Sequence, residues 1–189
     1  NIHNRGSLHR LILVKLSWHC FLSDYCMRKN LPYGRLISPD LPESLRPWLY
    51  ASGSLTQQLT DLASGDFHVE LIKQSYQRMS LQDARWLNMP HHHIAWVRES
   101  YLFGHSSQPW VQAKSIFPIL SLNKRARLFK HIGQKPIGRF LFERTTPLCE
   151  RRVIHLKEGW TRQSCYTWHD CKFIVQETFL EEFERFIQP

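Results

Sequence analysis

Two charged residues stand where apolar ones are expected. In Ile94-Ala95-Trp96-Val97-Arg98-Glu99-Ser100-Tyr101-Leu102-Phe103, a period of two puts Ile94, Trp96, Arg98, Ser100 and Leu102 on one face, so Arg98 points the same way as Trp96. A guanidinium held against an apolar face loses several kcal/mol of hydration unless an anion meets it, and the pattern therefore predicts something negative beside Arg98. Toward the C-terminus, Phe173, Val175, Glu177 and Phe179 share a face by the same count, which sets a carboxylate among apolar side chains. Burial raises a carboxyl pKa and a nearby cation lowers it, and such tuning suits proton transfer. The residues alone leave two readings open: Arg98 and Glu177 pair with each other inside a sheet, or both belong to a ligand site.

The elements that would position them follow from periodicity and turn residues. Gly104 to Pro109 supplies a turn, and Trp110 to Ile119 reads as the returning strand of a hairpin begun at Ile94. On that strand Lys114 alternates with Gln112 and Ile116. After Pro118 the pattern turns helical through Leu122, Ala126, Leu128, Phe129 and Ile132, and it closes at Gly133. Gly133 to Phe142 then sets two glycines and a proline around Ile137, a backbone suited to close approach. Upstream, recurring prolines from Leu31 to Pro42 make a loop, and a short helix limited by Pro47 follows to Tyr50. Ser54 caps a helix Leu55 to Leu62 that Gly65 ends. Phe67 to Lys73 alternates as a strand, and Ser80 opens a short helix with Asp83 at capping-box distance. Arg151 to Leu156, Trp160 to Trp168 and Cys171 to Leu180 read as strands, the last two joined at His169-Asp170, before a charged helical end from Glu181 to Ile187. About six strands joined mostly by hairpins, with short helices before and between them, give an α+β single domain on a mainly antiparallel sheet.

Composition narrows the class further. Of 189 residues, 42% are hydrophobic and 13% aromatic, which suits one folded domain rather than a disordered chain. Lys and Arg exceed Asp and Glu by 25 to 16, a net charge of +9. The basic residues are scattered, and the densest group, Lys124 to Lys130, suits the solvated side of one helix. The balance therefore favours attraction of a small anionic metabolite over nucleic-acid binding. Five cysteines without a C-x-x-C pair point to reduced thiols in the cytoplasm, not to a disulfide framework or a zinc site. His91-His92-His93 cannot converge on one metal from an extended chain and reads as a loop before the Arg98 strand. Leu11 to Leu22 is interrupted by Lys15 and His19 and is too short to span a bilayer, so no stable membrane insertion is expected. Residues 1–26 are expected to be an appendage, with the domain starting at Met27.

A resemblance adds to this reading. The ordered set Trp96-Val97-Arg98-Glu99, Gln108-Pro109-Trp110, Phe117-Pro118, Gly133-Gln134-Lys135-Pro136-Ile137-Gly138-Arg139-Phe140-Leu141-Phe142, Gly159-Trp160-Thr161-Arg162 and Gln176-Glu177-Thr178-Phe179-Leu180 resembles bacterial chorismate pyruvate-lyase. The family makes 4-hydroxybenzoate for ubiquinone biosynthesis. The resemblance implies an enclosed pocket under short helices, in which Arg98 takes a carboxylate and Glu177 contacts the ring hydroxyl and assists proton transfer. It implies that Ile137 offers a backbone N–H and an apolar wall, and that Leu55 lies near the product with its own N–H. Lys114 is a candidate for the enolpyruvyl carboxylate, while Arg139 and Arg162 match the family in unassigned roles. Ala113-Lys114 stands where the family more often has Gly-Arg, Ile137 replaces leucine, and the Leu55 position often carries methionine. No metal or organic cofactor is implied, and the expected partners are chorismate and 4-hydroxybenzoate, bound by a cytoplasmic monomer. The alternative is a non-catalytic sensor of aromatic acids on the same fold, although residues 1–41 are too short and proline-rich for the usual DNA-binding module.

Overall fold

A computed structural model describes residues 40–122, 126–133, 135, 137, 146–168 and 170–188, all within the unit Ser38–Pro189. The expected appendage of residues 1–26, Arg139 and Phe140 to Phe142 lie outside the described residues. Six strands form one sheet: β1 His68–Arg78, β2 Ile94–Phe103, β3 Pro109–Pro118, β4 Leu148–Leu156, β5 Gly159–Trp168 and β6 Cys171–Phe179. Their order is β1-β2-β3-β6-β5-β4, and each neighbouring pair is antiparallel. The α+β antiparallel architecture expected from the sequence is therefore the one observed.

Among the helices that accompany the sheet are α1 Arg46–Tyr50, α2 Leu55–Leu62, α3 Leu81–Trp86 and α4 Glu181–Ile187. A 3₁₀ turn, Glu43–Leu45, leads into α1, where Pro47 occupies the first turn and its missing N–H deprives no carbonyl. Ser54 caps α2 by accepting from the Gln57 N–H at 3.3 Å. Ser80 caps α3, accepting from the Asp83 N–H at 3.0 Å while donating its own hydroxyl to Asp83 Oδ2 at 2.7 Å.

Two expectations about the elements need correction. First, β1 runs on to Arg78, not Lys73, because the polar stretch Gln74 to Arg78 still pairs with β2. As an edge strand it is half solvated, and its alternation of Val69 and Leu71 gives out where the register slips between Leu71 and Lys73, turning Ile72 outward. Second, the helical segment after Pro118 is wound, where it is described, as 3₁₀ and not as α. The described residues form 3₁₀ turns at Ile119–Ser121 and Ala126–His131. Phe129 and Ile132, three residues apart, both pack into the core, which suits three residues per turn better than 3.6. Gly133 follows with φ +63°, as a terminating glycine should. His93 anchors the first turn, its Nε2 accepting from the Leu120 N–H at 3.3 Å.

The sheet separates its cores by side-chain parity. One face carries Trp96, Phe117, Phe173, Val175, Tyr166 and Trp168, joined by Phe129 and Ile137. Further along the same face, Leu102, Val111, Phe179 and Trp160 pack under α1, α2 and α4. The opposite face buries Ala95, Val97, Ile116, Ile174 and Cys165 beneath α3. Burying each large apolar side chain contributes about 1.5–3 kcal/mol. The two clusters on the first face are separated by a strip of non-core residues, and that strip is where the charged anomalies fall.

Candidate active site

Cross-strand register fixes the strip. Arg98 on β2 lies opposite Ser115 on β3, which lies opposite Val175 on β6; one same-face step along, Ser100, Ala113 and Glu177 form the next row. All six line one small cavity, walled also by Thr56 of α2 and by Ile137. Strand spacing and rise put the Arg98 and Glu177 backbones about 12 Å apart on a diagonal, so their side chains approach the cavity from opposite ends. The cavity volume is about 20 Å³, and Thr56 and Ile137, which line it, stand on covering segments, not on the sheet.

Arg98 is only 2% exposed. Its Nη2 donates to the Lys135 carbonyl at 3.0 Å, while Nη1 is buried and has no acceptor among the described residues. No carboxylate pairs with it among the described residues. Burial holds the guanidinium below its ordinary value, and an arginine in a protein keeps its charge. A buried cation that no described carboxylate meets is the state the sequence pattern required an anion to relieve.

Glu177 has a partner, and it is not Arg98. The register sets Arg162 of β5 opposite Glu177, and Arg162 Nε donates to Glu177 Oε2 at 2.5 Å. The reading in which Arg98 and Glu177 neutralise each other is thereby excluded. Arg162 Nη1 also donates to the Trp48 carbonyl at 2.9 Å. Arg151 holds the adjoining turn in a similar way, through Ser164 Oγ at 2.9 Å and the Ala51 carbonyl at 2.5 Å. Among the described residues this face thus buries three arginines against one carboxylate, a positive excess that favours an anionic ligand. Tyr166, on the same face, has its hydroxyl pushed up, first by burial and next by the Glu177 charge.

The remaining candidates divide. Ile137 is 8% exposed and walls the cavity. The Leu55 side chain packs in the core, and its neighbour Thr56 reaches the cavity. Leu55 begins α2, so its N–H is among those without an intrahelical acceptor. Lys114 is not brought to the site: the β3 parity that turns Ala113 and Ser115 inward turns Lys114 to the other face, where its Nζ meets Glu99 at 3.2 Å. Sequence reasoning missed Ser115, Thr56 and the role of Arg162 as partner to Glu177. The last was within reach, because the strands flank a two-residue turn: counting six residues back from Trp168 and six on from Cys171 brings Arg162 opposite Glu177.

Comparison with known proteins adds family evidence. The family described as chorismate lyase matches residues 37–186. A relative from Acinetobacter baylyi named "probable chorismate pyruvate-lyase" is 74% identical over 149 residues, covering 79% of this chain and 89% of the relative. One of the same name from Acinetobacter baumannii is 64% identical over 161 residues, covering 85% and 95%. Among solved structures, PhnF from Mycobacterium smegmatis gives a TM-score of 0.48 at 10% identity, over 70% of this chain and 66% of that one.

Proposed function

Because this chain belongs to the chorismate lyase family, we propose that the cavity between Arg98 and Glu177 is where it performs the family's reaction. The protein is a lyase that eliminates pyruvate from chorismate to leave 4-hydroxybenzoate. In that elimination the hydrogen on the hydroxyl-bearing ring carbon leaves as a proton, and its electron pair becomes the last double bond of the aromatic ring. The adjacent carbon–oxygen bond breaks, its pair departs on the enolpyruvyl oxygen, and protonation of that fragment gives pyruvate. Aromatisation drives the reaction, so the protein's part is to hold the dianion and accept one proton.

The observation that carries this reading is the Arg98 Nη1, without an acceptor among the described residues, at one end of a cavity whose other end holds a paired carboxylate. Arg98 binds the ring carboxylate by charge-assisted hydrogen bonds, with Ser115 beside it. Glu177, paired with a cation, is a proton acceptor at the hydroxyl end, and the proton it takes passes to the enolpyruvyl fragment. Ile137 and Thr56 close over the ring.

Incubating the protein with chorismate should release 4-hydroxybenzoate and pyruvate in equal amounts, and Glu177→Gln should lower turnover by about 10²- to 10⁴-fold while 4-hydroxybenzoate still binds. Binding of 4-hydroxybenzoate with no turnover of chorismate would favour the sensing alternative instead. We also place the protein in the cytoplasm as a monomer that needs no nucleic-acid partner; among the described residues no helix is long and apolar enough to cross a membrane. Sedimentation at a mass near 22.6 kDa agrees with a monomer, and a twofold mass does not.

A further inference from the structure

Glu177 is held from a neighbouring strand. The Arg162 guanidinium divides its donors between Glu177 Oε2 and the Trp48 carbonyl at the end of α1. Arg162 is 1% exposed, and the Glu177 side chain 13%. Glu177 Oε1 accepts no hydrogen bond from a described residue, and it belongs to a side chain that lines the cavity. As a device for stability such a pair achieves little, because desolvating both charges offsets most of their attraction. Tying α1 to the sheet does not require it either, since Arg151 already holds the Ala51 carbonyl from β4. What distinguishes Arg162 from Arg151 is the carboxylate it engages.

On the reading of the cavity as the chorismate site, we infer that Arg162 is a positioning residue that occupies Oε2 and fixes the Glu177 carboxylate, so that Oε1 is left as the acceptor for the substrate. Glu177 then works as a base and not as an acid. A neutral carboxyl at this place would offer the ring hydroxyl a competing donor and could take no proton. Lysine cannot replace the arginine fully, because a single ammonium cannot span both the carboxylate and the Trp48 carbonyl in the fixed geometry of a guanidinium.

The test reads the placement of Glu177 in the full chain. In Arg162→Gln kcat should fall at least tenfold with KM changed less than threefold, because Glu177 Oε2 loses its donor and the carboxylate is free to turn Oε1 away from the cavity. Arg162→Lys should recover only part of that loss, since an ammonium held at Glu177 leaves the Trp48 carbonyl unmet. Crystal structures of the ligand-free wild type and Arg162→Gln should show Glu177 held in one orientation in the first and turned from it in the second. An unchanged kcat in Arg162→Gln, or an unchanged Glu177 orientation, would overturn the inference; if Arg162→Gln does not fold, full activity in Arg162→Lys would overturn it instead. The orientation of Glu177 is read without chorismate, so a wild type inactive on chorismate would sink the site reading while leaving this inference to the crystals.

Discussion

Replacing Arg98 with methionine keeps most of the aliphatic stem and removes the charge, which separates the ligand-binding role of this residue from a structural one. The lost ligand contacts are charge-assisted bonds in a buried site, worth about 2–4 kcal/mol together. At 1.4 kcal/mol per tenfold, 4-hydroxybenzoate should bind roughly 30- to 700-fold more weakly. Stability should respond differently. The variant loses the bond to the Lys135 carbonyl, worth about 1 kcal/mol, and is relieved of a buried Nη1 that has no acceptor among the described residues, a group whose desolvation costs about 1–3 kcal/mol. The ligand-free variant should therefore be as stable as wild type to within about 1 kcal/mol, or more stable. Calorimetric titration with 4-hydroxybenzoate, beside denaturant unfolding without ligand, measures both quantities. The reasoning fails if Arg98→Met is destabilised by about 3 kcal/mol or more, the cost of breaking a buried pair, while binding the ligand with unchanged affinity.

Three further outcomes follow from other parts of the molecule. Lys114→Ala should leave turnover within about twofold and stability within about 1 kcal/mol, because its bond to Glu99 lies on the opposite face and is partly solvated; a hundredfold loss of activity would return Lys114 to the site. Gly159→Ala should destabilise the β4–β5 turn by at least about 1–3 kcal/mol, since φ is +145° and an added Cβ would meet the Phe179 carbonyl oxygen at 2.1 Å, and equal midpoints in denaturant would contradict this. Burial pushes the Cys171 thiol from 9.0 up to about 12. A raised folded value means that its contribution to stability is complete below pH 9 and lost between pH 9 and about 12. Cys171→Ala should flatten that part of the stability profile, and an unchanged slope would refute the assignment.

The strand pattern was largely legible because period two is a local property. Arg98 and Glu177 could be placed on apolar faces from their own neighbours, and both were found there. The cap residues Ser54 and Ser80 were equally local. Lys114 was misread because parity within a strand does not tell which face meets which across a hairpin. That depends on the register, and here the loop Gly104 to Gln108 and the irregularity next to Phe103 turned Ser115 toward the cavity, not Lys114. Where Trp168 pairs with Cys171, with only two residues between them in sequence, the register could have been counted and the Arg162–Glu177 pair found. The 3₁₀ segment was hidden for another reason: its form is set by Phe129 stacking on Phe117 at 4.6 Å and meeting Trp168 edge-on at 5.2 Å, contacts that helix propensity does not encode.

A crystal structure with 4-hydroxybenzoate bound tests the central claim most directly. The account predicts the ligand in the cavity between the two apolar clusters, its carboxylate on Arg98 Nη1 and its hydroxyl within hydrogen-bond distance of Glu177, with the Arg162 contact to Glu177 intact. A ligand bound elsewhere, or in the cavity with its carboxylate turned away from Arg98, would contradict it.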